Sequence, residues 1–274
     1  MPGDDTRRAA GLIAGGAAII AGSVLSDSSV EHYRGSFANK AMYLPLGASA
    51  LSLASDGALA ARGGTNRTLG PLSISIHAAS LGIGAAGLGF HIYNIAKQPG
   101  GFSLGNFFNQ APIGAPAALM IAGALGAAAH ALGSGATALG PVPLLSGRAL
   151  AGFTALGLAG TAGEAALLHF RGAFHNPAMW LPVTNPPVAT LALARAAVTG
   201  RVNWITTASL VATAALGLLG SAFHAYGVSR NMGGWKNWRQ NVLGGPPIPA
   251  PPSFTGLAIA GLGALLLIRR FARD

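Results

Sequence analysis

Four histidines and two arginines are the residues best suited to chemistry in a chain with few polar side chains: His32, His91, His169 and His224, with Arg34 and Arg171. Imidazole ligates haem iron axially, and a guanidinium binds a propionate or another anion through two parallel N–H groups. Two acids accompany them, Asp27 and Glu164, each five residues before a histidine and so about 7 Å deeper along a helix. An acid at the centre of a bilayer costs ~2.5–3.5 kcal/mol even on the lenient scale. Asp27 and Glu164 therefore read as partners of Arg34 and Arg171, or as part of a proton or quinone pathway.

These residues sit in strings that the chain writes twice. "HYRGSFANKAMYLP" (32–45) returns as "HFRGAFHNPAMWLP" (169–182), with nine of fourteen positions identical. Much of the string reads as helix punctuation at a membrane surface. Gly35 and Gly172 stand where a left-handed cap ends a helix, Asn39 and Asn176 are N-caps, and Pro177 suits a first turn. Tyr43 and Trp180 fit an interfacial aromatic belt. Pro45 and Pro182 fall about six residues into the next expected helix, where proline frees a carbonyl for an Arg or His.

A second echo places "FHIYNIAKQPGGF" (90–102) against "FHAYGVSRNMGGW" (223–235). Each is followed by a segment rich in Gly, Asn, aromatics and Pro. Within the second such segment, Trp235, Lys236, Trp238 and Arg239 form a docking patch for a partner chain or an interfacial anchor.

His77 and His91 are fourteen residues apart, close to four helical turns, and so share a face. This spacing resembles the paired haem ligands of cytochrome b helices, and the resemblance implies two haems stacked across a four-helix bundle. It covers one helix only, because the position matching His77 further along is Leu210. His130 is the candidate for the missing second ligand, and with His77 forms a possible inner-side set. His91 and His224 either share one haem across a pseudo-axis, or two haems pair His32 with His91 and His169 with His224. No His-x3-His or Glu-containing metal helix is present, so no metal beyond haem iron is expected.

The elements that must hold these groups are membrane helices. Only 9% of residues are charged and 51% are hydrophobic, against roughly 25% charged in soluble domains. The 41 glycines suit close helix contacts in lipid. The chain has no cysteine, which excludes disulfides and thiolate chemistry. Eight apolar stretches, at about 9–27, 41–61, 69–95, 112–133, 149–169, 178–199, 204–227 and 253–271, approach the ~20 residues that a span needs. The first reads as a structural helix rather than a cleaved signal, since its counterpart lies mid-chain.

The expected fold is thus an all-α polytopic membrane protein of eight transmembrane helices, built as two parallel four-helix tandem repeats over residues 1–140 and 141–274. The repeated histidines then lie on one face. The net charge of +10 reflects the positive-inside rule rather than nucleic-acid binding. Arg7, Arg8, Arg62, Arg67, Arg148, Arg195, Arg201, Arg269, Arg270 and Arg273 fall on the side of the termini, which makes both termini cytoplasmic in a bacterial inner membrane.

There is no Walker loop, nucleotide fingerprint, Ser–His–Asp pattern or intramembrane lysine. The functional expectation is an electron-transfer or anchor subunit of a respiratory redox complex. It binds b-type haem, passes electrons to quinone, and docks an extracytoplasmic redox protein supplied as a separate chain. A haem-free docking subunit and a tandem-repeat transporter are the alternatives.

Overall fold

The structure is a computed structural model and describes residues 3–66, 70–110 and 112–273. Arg67, one of the cations assigned to the side of the termini, lies outside the described residues. Among those residues the fold is all-α apart from a two-stranded hairpin, Ala138–Leu139 with Val142–Pro143. The helices are α1 (Asp4–Arg34), α2 (Leu44–Ala61), α3 (Pro71–Ala96), α4 (Leu104–Asn109), α5 (Gly114–Gly133), α6 (Arg148–Arg171), α7 (Asn185–Thr199), α8 (Trp204–Arg230), α9 (Trp238–Gly244) and α10 (Pro252–Phe271).

Local sequence explains the boundaries. α1 carries Asp4 and Asp5 in its first turn and His32 and Arg34 in its last, each complementing the helix dipole. Proline opens α2, α3, α7 and α10, where its missing N–H costs nothing. Asn203 caps α8 by accepting the Thr206 N–H at 2.9 Å. Gly200, at φ 68°, ends α7 in the left-handed region.

Six helices, α1, α3, α5, α6, α8 and α10, are long and apolar enough to cross a membrane, and the chain is a multi-pass membrane protein. α2 has 18 residues and α7 only 15, and each follows a 3₁₀ helix, Lys40–Tyr43 or Pro177–Val183. The short α4 and α9 lie with the ends of α1, α3, α6 and α8. Opposite them, Arg270 bonds Thr6, so α1 begins and α10 ends on one face. We call these the far face and the terminal face.

α1 is the central helix, packed between α5 and α10 with α2 alongside. A Cβ on Gly16 would overlap the Gly256 carbonyl, and one on Gly256 would meet the Gly16 carbonyl at 2.6 Å. The two glycines let α1 and α10 backbones touch, the usual device where lipid supplies no hydrophobic drive. α6 packs on α7 and α10 and only slightly on α5, so α1 meets the last helix of the other half closely and α6 does not. α3 and α8 turn large apolar side chains outward, among them Leu72, Phe90, Tyr93, Leu218 and Tyr226, as lipid-facing helices do.

Candidate functional site

The two copies of the repeated string fold into the same hairpin, and its chemistry differs from simple punctuation. Gly35 and Gly172 are not left-handed, at φ −79° and −78°. The positive φ values fall instead on Ser36 and Phe37 (54° and 46°) and on Ala173 and Phe174 (55° and 47°). What the glycines provide is room: a Cβ would press on the Met42 methyl at 3.1 Å or the Met179 methyl at 2.9 Å. The left-handed phenylalanines stack on the next aromatic, Phe37 on Tyr43 at 4.3 Å and Phe174 on Trp180 at 4.1 Å. Asn39 and Asn176 do act as N-caps, accepting the Ala41 and Ala178 N–H groups at 2.9 Å.

The expected mid-helix prolines are also resolved differently. Pro45 opens α2, and Pro182 lies within a 3₁₀ helix that precedes α7. Neither proline therefore breaks an established α-helix or frees a carbonyl within one.

The four far-face histidines share one arrangement. His32 Nδ1–H donates to the Met42 carbonyl at 2.7 Å, and His169 Nδ1–H donates to that of Met179 at 2.8 Å. His91 donates to Pro112 at 2.5 Å, and His224 to Pro247 at 2.7 Å. Each ring is half-buried, and each is held in the tautomer that leaves the Nε2 lone pair free. A backbone carbonyl on the second nitrogen is the ordinary support of a metal-ligating histidine. His91 lies within electrostatic reach of His32, and His224 within reach of His169, so the histidines associate within each half of the chain.

The arginines are otherwise engaged. Arg34 pairs with Glu31 at 2.8 Å, and Arg171 donates to the Phe108 carbonyl at 2.6 Å. Neither arginine is held ready for a propionate. Glu164 accepts the Gly114 N–H at 3.0 Å at the start of α5, where the helix dipole favours a negative charge. Asp27 is within electrostatic reach of Glu31, Glu164 and Arg34, so the two acids approach each other. Arg239 donates to the Tyr33 hydroxyl at 2.6 Å and lies over its ring. The far-face segment of each half thus covers the first helix of the other. Trp235 and Trp238 remain exposed, at 50% and 62%, and Lys236 lies in the same 3₁₀ turn as Trp235.

Nearer the terminal face is a second constellation that the sequence reading found only in part. Asp56 on α2, His77 on α3 and His130 on α5 are 0%, 1% and 6% exposed. Asp56 Oδ1 lies 2.9 Å from His77 Nε2 and 3.3 Å from His130 Nε2. His77 Nδ1–H donates to the Ser73 carbonyl at 2.7 Å, so one proton is shared between His77 Nε2 and the Asp56 carboxylate. Ser55 Oγ and the Asn66 amide flank His130 at 3.2 and 3.3 Å. Among the described residues, Asp56 Oδ2 is buried without a hydrogen-bond partner. His77 thus joins His130 and an acid rather than forming a ladder with His91. Asp56 has one sequence signal, an acid inside an apolar run, obscured because "SDG" reads as a turn.

Comparison with known proteins returns no matching family model, no similar curated protein and no similar solved structure.

Proposed function

We propose that the chain is the membrane subunit of a respiratory redox complex, carrying b-type haem at its far face and passing electrons to quinone. The observation that carries the reading is the shared posture of His32, His91, His169 and His224. All four rings are braced through Nδ1 by a backbone carbonyl, and among the described residues no hydrogen bond engages their Nε2 atoms. Haem iron between two imidazoles moves one electron at a time between its ferrous and ferric states. His32 with His91, and His169 with His224, would hold one haem each. Asp27 and Glu164, within electrostatic reach of each other, would handle the protons that quinone reduction requires.

The reading includes an eight-span arrangement in two four-helix repeats, residues 1–140 and 141–274. It is supported by the matching hairpins and by the 3₁₀ segments that lengthen α2 and α7 to residues 40–61 and 177–199. With the positive-inside bias, both termini are cytoplasmic and the far face is extracytoplasmic in a bacterial inner membrane. Exposed Trp235 and Trp238 favour a docked redox protein as electron donor, and by themselves also suit a haem-free docking subunit.

A reduced-minus-oxidised spectrum of the protein, expressed with sufficient haem, tests the proposal. A b-type α-band that falls by half in His91→Ala and by half in His224→Ala supports it, and a flat spectrum from folded protein refutes it.

A further inference from the structure

We infer that Asp56, His77 and His130 form a buried binding site for a divalent first-row transition-metal ion, separate from the far-face histidines. The three ligand atoms lie within 4.8 Å of one another. A four-coordinate ion with bonds of ~2.0–2.1 Å sets its ligands about 3.3 Å apart, and the Asp56–His77 and Asp56–His130 distances are 2.9 and 3.3 Å. Two imidazoles and one carboxylate suit zinc or ferrous iron, with a fourth position left open.

The surroundings are those of a ligand set. His77 is braced through Nδ1 on the Ser73 carbonyl, which directs Nε2 inward. The Asn66 amide at His130 Nδ1 accepts that ring's proton when its oxygen faces it, and oxygen and nitrogen of an amide exchange by a simple flip. Asp56 Oδ2, sealed from solvent and without a hydrogen-bond partner among the described residues, is the acceptor that an ion would satisfy.

Packing alone does not demand these residues, and the chain itself provides the control. Gly126 on α5 makes room for the site: a Cβ there would overlap His77 Nε2 and come within 2.7 Å of Asp56 Oδ1. Gly261 on α10 makes the same room, but its Cβ would meet Leu193 and Leu210 at 3.2 Å. Leu193 follows Asp56 by the offset that separates the two hairpins, and Leu210 follows His77 by the offset that relates His91 to His224. Leu265 follows His130 by the offset from Gly126 to Gly261. All three leucines are buried, at 0%, 0% and 1%. Where one half of the chain closes this place with three leucines, the other installs a carboxylate and two imidazoles.

The test uses the full chain in mild detergent, stripped with a chelator and dialysed against Zn2+, with zinc per chain read by elemental analysis. A triple variant, Asp56→Leu with His77→Leu and His130→Leu, copies the packing of the other half and serves as the blank for other sites. The site predicts one more zinc per wild-type chain than per triple variant, and at least tenfold weaker zinc binding in Asp56→Asn. Equal zinc in wild type and triple variant, at any concentration that loads the wild type, overturns the inference. So does a wild-type chain that takes up no zinc. If the triple variant fails to assemble, unchanged zinc affinity in Asp56→Asn is the overturning result.

Discussion

Alanine at Gly126 and at Gly261 is the same chemical change in two matching places, and the two should differ sharply. At Gly126 the new methyl would overlap the His77 ring and crowd Asp56 Oδ1 at 2.7 Å. His77 lies on a helix between the Ser73 carbonyl and Asp56, so it cannot retreat without giving up a bond. Overpacking alone costs ~1–3 kcal/mol, and separating a buried ionisable pair costs ~3–5 kcal/mol. At Gly261 the contacts are the ends of Leu193 and Leu210 at 3.2 Å, which yield by rotating a few tenths of an ångström. The expected cost there lies at the low end of the overpacking range, about 1 kcal/mol. Reversible unfolding in mixed micelles, followed by far-ultraviolet circular dichroism, measures both. A Gly261→Ala loss equal to or larger than that of Gly126→Ala would show that His77 and Asp56 are not held as described.

Three further outcomes follow from the same geometry. Ser36→Gly and Ala173→Gly should each stabilise the protein by up to ~1 kcal/mol, since left-handed backbone costs an L-residue ~1–2 kcal/mol; no rise in unfolding midpoint would contradict this. Glu164→Ala should lose ~0.5–2 kcal/mol as the Gly114 N–H loses its acceptor, while Glu164→Gln keeps most of that bond. Equal losses in the two variants would mean that the Gly114 contact contributes nothing. Replacing Trp235 and Trp238 together by alanine should change stability by less than ~0.5 kcal/mol, because both are exposed. A docked redox partner should nevertheless co-purify less well, and undiminished recovery would remove that patch from the interface.

The sequence reading recovered what local rules govern. Six of the eight expected membrane helices followed from apolar runs, the N-caps from Asn39 and Asn176, and the far-face gathering of histidines from the duplicated strings. It misplaced what neighbours decide. Gly35 is the expected left-handed residue, but Ser36 and Phe37 take that conformation and the Phe37 ring stacks on Tyr43, a contact that no propensity scale contains. Pro45 was placed inside a helix because a 3₁₀ turn before α2 looks helical in sequence. The Asp56 site was legible only as two isolated histidines, since its ligands come from three helices and have no local spacing to read. Burial did the rest: only the packing shows that Asp56 lies between His77 and His130.

The proposed function turns on whether the far-face histidines hold haem in two pairs, one in each half of the chain. The haem-to-protein ratio of purified chain, expressed with sufficient haem and measured as the pyridine complex, tests it most directly. Two haems per chain are expected, falling to one in His91→Ala and to one in His224→Ala. No haem in a chain that is otherwise folded would contradict it, and the four braced imidazoles would then stand only as hairpin fastenings.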